Sequence, residues 1–114
     1  MTKKIFILAA LVNLFALSSF NGQSQTLTDA IRLMQSEQFD NAKKAFKTVI
    51  TKEPRNGDAY FYFGQCYLYS FIVDSLSYTL DEVADSAYFY YKKGTESDQL
   101  NPLNFTGLGK IELC

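Results

Sequence analysis

Small residues recur along this chain at fixed separations, and that recurrence restricts the fold more than any single motif does. Ala30 and Gly64 stand 34 residues apart. Ala42 precedes Gly64 by 22 residues, and Ala87 precedes Gly109 by the same 22. The intervals Gly64 to Gly109 and Ala42 to Ala87 are both 45. One insertion of 11 residues between Gly64 and Ala87, the excess of 45 over 34, reconciles all of these spacings. Self-similarity at such a period marks stacked supersecondary units, each unable to bury its apolar face alone.

The pattern within each unit is helical. Thr26-Leu-Thr-Asp29 reads as a capping box, and Leu27, Ile31 and Met34 follow at spacings of four and three with Ala30 and Leu33 beside them. Ser36-Glu-Gln38 interrupts that stripe. Ala42, Ala45, Phe46, Val49 and Ile50 line one face of a second helix, with Asp40 as its natural N-cap. Lys43, Lys44, Lys47 and Thr48 face outward as a solvated surface. Pro54 disfavours helical geometry at Glu53, and Arg55-Asn56-Gly57 completes a turn.

A third helix starts near Asp58 and carries Tyr60, Phe63, Gly64, Tyr67 and Phe71. From Ser70 to Ser77 no period is sustained, which places the insertion near 70–79. Thr79-Leu-Asp-Glu82 is a second capping box and opens a fourth helix with Leu80, Val83, Ala84, Ala87, Tyr90 and Tyr91 on one side. Gly94, or the stretch from Asp98 to Pro102, ends it. Phe105 to Leu113 begins a fifth. Helices joined by so few residues must lie antiparallel as hairpins. The fold class is all-α, and a strand between Tyr60 and Tyr91 would contradict it.

At these residues the chain resembles the tetratricopeptide repeat (TPR) family. The family's second helix carries Ala, an aromatic four later, a small apolar residue three later and Pro five later, matched by Ala42, Phe46, Val49 and Pro54. Its first helix carries a large aromatic, an apolar-Gly pair and Tyr, matched by Tyr60, Phe63-Gly64 and Tyr67. Ala87, Tyr91 and Gly94 repeat the second-helix pattern, with Gln99 where Pro is usual, and Phe105, Leu108 and Gly109 open a further repeat. Thr26 and Asp29 depart from the pattern of the first helix. The resemblance implies a short solenoid of antiparallel hairpins. Its repeats are 25–56, 57–101 (with the insertion) and the start of a third at 102–114.

The first residues carry a different signal. Lys3 and Lys4 precede a run from Ile5 to Leu17 that is apolar except for Asn13, and small and polar residues follow to Gln25. That order is a secretory signal peptide over residues 1–24, with cleavage after Gly22-Gln23-Ser24. An uncleaved anchor is the alternative, but the run falls well short of the roughly 20 residues that span a bilayer. No Cys stands at the junction for lipid attachment. The expected address is therefore export, to the periplasm or cell envelope if the source is a diderm bacterium, with no membrane span after cleavage.

Beyond residue 24 the chain holds nine basic and twelve acidic residues, a net charge of −3. An acidic chain without a basic stripe is a poor ligand for nucleic acid, because phosphate contacts need clustered Lys or Arg. There is no His, which removes the commonest general base and metal ligand. No nucleophile elbow, phosphate loop or zinc spacing is present. Asp81, Glu82 and Asp85 form an acidic group that a helix N-terminus explains, with a calcium or acid/base role as the alternative. Cys66 reads as core filler, or else as the partner of Cys114 in a disulfide. Asn104-Phe-Thr106 fits the N-glycosylation pattern, for which chance is the better explanation. No catalytic residue, metal or cofactor is expected.

The chain's 8 Tyr and 10 Phe are concentrated in Tyr60-Phe61-Tyr62-Phe63 and Tyr88-Phe89-Tyr90-Tyr91, where one neighbouring helix cannot cover every ring. By the resemblance, the first helix of each hairpin lines a concave groove. Leu27, Ile31, Met34, Phe61, Gln65, Leu68 and Tyr69 would then form an apolar, aromatic surface for a protein or peptide. The other outcome is that the insertion or further repeats cover those rings inside the molecule. Phe61 and Gln65 do not match the Lys, Arg and Asn with which carboxylate-clamping members of the family bind. Ile111 and Leu113 would lack a covering helix, so a fragment, a truncated product or a homo-oligomer pairing through the C-terminal end is expected.

Overall fold

The computed structural model describes residues 26–112. The signal segment 1–24, Leu113 and the Cys114 half of the suggested disulfide lie outside the described residues. Five helices follow one another: α1 (Leu27–Gln35), α2 (Phe39–Lys52), α3 (Gly57–Val73), α4 (Leu80–Ser97) and α5 (Leu103–Glu112). Among the described residues there is no strand.

Local chemistry sets most helix starts. The Thr26 and Thr79 hydroxyls accept from the Asp29 and Glu82 amides, and both carboxylates reach back to the capping residue's own amide. Each box satisfies two donors that a helix start leaves unpaired. The Asn56 side chain accepts from the Ala59 amide at 3.3 Å and opens α3. α2 differs from expectation. It begins at Phe39, with Asp40 in its first turn where the helix dipole favours an acid, and Gln38 as an N-cap without a side-chain bond.

The turn between α1 and α2 explains that shift. The Gln38 amide donates to the Leu33 carbonyl and the Glu37 amide to that of Met34, the paired bonds of a Schellman motif. Glu37 takes φ 62° to make them. A left-handed conformation costs a non-glycine residue about 1–2 kcal/mol. Glycine's extra freedom in the unfolded chain returns about 0.4–1 kcal/mol of any gain. Glu37→Gly is therefore expected to raise stability by about 0.5–1 kcal/mol, read as a higher urea midpoint at unchanged slope. A lower midpoint would contradict this account of the turn.

Packing follows a simple neighbour order. Each helix packs on the next, and α1 packs on α3 and α3 on α5, which sets the odd-numbered helices side by side. α3 is thus surrounded by α1, α2, α4 and α5. That explains its uniform hydrophobicity: Tyr60, Phe61 and Phe63 are all buried, with Phe63 against Phe46 of α2 and Tyr90 of α4, and Phe61 against Tyr91 of α4. Two apolar clusters result. One joins Ala30, Met34, Ala42, Ala45, Phe46, Phe63 and Cys66, and the other centres on Phe61, Ala87 and Tyr91.

The tight crossings are made by glycines. A Cβ on Gly64 would lie 2.5 Å from Cε1 of Tyr91, and one on Gly107 would lie 2.7 Å from the same ring. Tyr91 therefore fills a slot cut by two glycines on two helices. Gly94 does not end α4; it lies buried inside the helix, and the space above it is filled by the Asn104 carboxamide. Gly109, at the position that repeats Gly64, has nothing within 4 Å of such a Cβ.

The stretch where the sequence period loosens is partly helical. α3 continues through Ser70 to Val73, and the connection to α4 is confined to residues 74–79. Periodicity fails there because Ile72 and Val73 face solvent on the side where polar residues normally stand.

Candidate functional site

Among the described residues, α3 and α4 bring together the largest assembly of rings. Phe63 of α3 stacks on Phe46 of α2 at 5.6 Å and on Tyr90 of α4 at 3.8 Å between ring centroids. Tyr67, one turn further along α3, stacks on Phe63 and on Tyr90. The spacing of 63 and 67 places both rings on one helix face, so three helices contribute to one column. Burial pushes the Tyr67 hydroxyl up to about 12, with Tyr90 and Cys66 adding to the shift. These phenols stay neutral and serve as packing.

Lys43 ends the column. Its Nζ lies 4.5 Å from the Tyr67 ring centroid and 4.8 Å from that of Tyr78, so it is sandwiched between α3 and the 74–79 connection. It is not simply solvated, as Lys44 and Lys47 are. Each cation–π contact contributes on the order of 0.5–1 kcal/mol at exposed sites. Sequence reasoning missed this because the contact joins residues far apart in the chain, and nothing local marks it.

The seven expected groove residues separate into two groups. Leu27, Ile31 and Met34 of α1 belong to the first cluster, with Met34 buried and the other two partly covered. Phe61 is buried in the second cluster, 5.7 Å from the Tyr91 ring, and Leu68 packs at its edge. Gln65 accepts from the Tyr91 hydroxyl at 3.1 Å, which occupies its carboxamide in holding α3 to α4. Tyr69 is exposed. Met34 and Phe61 are core residues, and the accessible part of the surface consists of Tyr69 with the half-covered Leu27, Ile31, Gln65 and Leu68. The four-ring run Tyr88 to Tyr91 divides in the same way: Tyr88 and Phe89 are exposed, Tyr90 is half-buried and Tyr91 is fully buried.

Other candidates resolve against chemistry. Cys66 is fully buried, and burial pushes its thiol up to about 11, the direction that makes it less nucleophilic. Asn104 is also fully buried and its Nδ2 donates to the Gly57 carbonyl at 2.8 Å, so it is inaccessible as a glycan acceptor. No group of three His, Cys, Asp or Glu among the described residues is placed to hold a metal ion. No described helix is long and apolar enough to cross a membrane. The connection between α4 and α5 is tied back to the start of α3: Asn101 Nδ2 donates to Asp58 Oδ1 at 2.6 Å, and Asn101 Oδ1 accepts from the Leu103 amide.

No family model, no curated protein and no solved structure matches this chain.

Proposed function

We propose that this chain is an exported, TPR-like interaction module that binds a protein or peptide along the side where α1, α3 and α5 are neighbours, and catalyses no reaction. The observation that carries the reading is the neighbour order itself. Consecutive helices pair, α3 touches both α1 and α5, and Tyr91 fills the slot at Gly64. An assembly of this kind has no enclosed cavity at its centre and presents its function on a face. The leader-like residues 1–24 support export to the periplasm or envelope.

The test is capture of partners by the full chain from an envelope extract, with Tyr69→Ala and Leu68→Ala beside wild type and Lys44→Ala as a control on α2. A buried tyrosine at an interface commonly contributes enough that its loss weakens binding about tenfold or more. Tyr69→Ala is expected to lower capture by that factor, and Lys44→Ala to leave it unchanged. Equal capture by every variant would remove the groove.

One observation favours a second reading, a self-assembling subunit. α5 presents Phe105 to solvent and leaves open space at Gly109, where the equivalent Gly64 receives a tyrosine from its neighbouring helix. Another copy supplying such a ring would make sedimentation mass depend on concentration, and Gly109→Leu would abolish that dependence. A concentration-independent mass at micromolar protein contradicts this second reading.

A further inference from the structure

The end of the α3–α4 hairpin is apolar where a solvated tip would be polar. Leu76 is 99% exposed and Ile72 72%, and Tyr69, Val73 and Leu80 beside them in the chain are also exposed. Isolated exposed apolar residues need no explanation, but five gathered at one hairpin end form a patch of the kind that marks an interface.

The charges around the patch have one sign. From Phe71 to Tyr91 the chain contains Asp74, Asp81, Glu82 and Asp85 and no Lys or Arg. Asp74 follows Val73 directly, and Asp81 and Glu82 follow Leu80. A cleft of about 250 Å3 beside the patch is lined by Glu37, Phe39, Asp40, Val73, Asp74 and Tyr78. Asp40 and Asp74 both face the Tyr78 hydroxyl, which is raised by burial first and by these two carboxylates next. Lys43 of α2 reaches this flank but is engaged with the Tyr67 and Tyr78 rings.

We propose that this tip docks a basic amphipathic helix from a different protein, with apolar anchors on Ile72, Val73 and Leu76 and Lys or Arg side chains toward the surrounding carboxylates. Two other occupants fit less well. An anionic membrane surface attracts basic segments, and this rim would be repelled by it. Two copies meeting tip to tip would set Asp74, Asp81, Glu82 and Asp85 against the same four acids, and like charges opposed across an interface are costly. This surface shares only Tyr69 with the groove; its anchors Ile72, Val73 and Leu76 are not among the groove residues.

The test uses the full chain and two labelled model helices with the same Leu pattern, one filled with Lys and the other with Glu. Fluorescence anisotropy is expected to show the Leu/Lys helix binding at least about tenfold more tightly than Leu/Glu. Raised salt should weaken it. Ile72→Ser with Leu76→Ser should reduce that binding by about tenfold or more without changing the unfolding midpoint, since both side chains already face water. Asp81→Lys with Asp85→Lys should weaken Leu/Lys binding and its salt dependence together. Equal binding of the two peptides, or no change in the serine variant, overturns the proposal. Sedimentation with phosphatidylcholine/phosphatidylglycerol vesicles that Leu76→Ser abolishes, without peptide binding, overturns it in favour of a lipid surface.

Discussion

Tyr91→Ala is expected to destabilise the fold by about 3–5 kcal/mol, the range for removing a large aromatic from a packed core. The ring is fully buried, occupies the slot made by Gly64 and Gly107, and lies 5.7 Å from the Phe61 ring. Neither glycine has a side chain that can move into the vacated space, so the cavity persists and its cost is high. Small domains are stable by only about 5–15 kcal/mol, which makes this a large fraction of the whole. Tyr91→Phe keeps the ring and removes the bond to Gln65, for an expected loss of about 1 kcal/mol. Urea unfolding measures both. Phe89→Ala, at an exposed position two residues away, should change stability by no more than about 0.5 kcal/mol. A Tyr91→Ala loss as small as that of Phe89→Ala would mean the ring is not at the helix crossing.

Asn104→Asp is expected to cost at least about 3 kcal/mol at neutral pH. The shapes of the two side chains are nearly the same, so packing is not the cause. Asn104 Nδ2 donates to the Gly57 carbonyl, and the carboxamide rests against Gly94 with no exposed surface. Its Oδ1 has no partner, so an aspartate there gains no donor to offset its charge. A carboxylate facing the carbonyl would have its folded-state pKa raised above the unfolded value of about 4. The penalty is then present above pH 4 and shrinks as pH falls toward that value, because the unfolded chain also becomes protonated there. A deficit that stays constant from pH 7 to pH 4 would contradict burial of this group.

The elements that local chemistry specifies were legible in the sequence. Two capping boxes, the apolar face of α2 and the turn after Pro54 depend on residues within four positions of one another. What escaped depends on residues far apart. α3 lies against four helices, so Phe61 is buried by α4 and α5, and no pattern inside α3 reveals which side is covered. The outward Ile72 and Val73 hide the last turn of α3, because their apolar character breaks the period that marks a helix. Gly94 resembles a helix end in sequence, and only Asn104 across the α4–α5 hairpin explains why it lies within one. Glu37 in a left-handed turn moved the start of α2 to Phe39, ahead of the favourable cap at Asp40. The expected groove suffered most, since assigning exposure on a helix requires knowing every neighbour it has.

Packing of the α3–α4 hairpin depends on the glycine at position 64, where the buried Tyr91 ring crosses from the next helix. Alanine at Gly64 and alanine at Gly109 test it as a pair. Helix propensity alone makes each substitution stabilising by about 1 kcal/mol. The crossing reverses the sign at one of them, because a Cβ at Gly64 would lie 2.5 Å from a fully buried ring while one at Gly109 meets open space. Overpacking of that kind costs about 1–3 kcal/mol. Urea unfolding of the two variants is expected to show Gly64→Ala less stable than wild type and Gly109→Ala more stable. Equal gains in both variants would contradict the account.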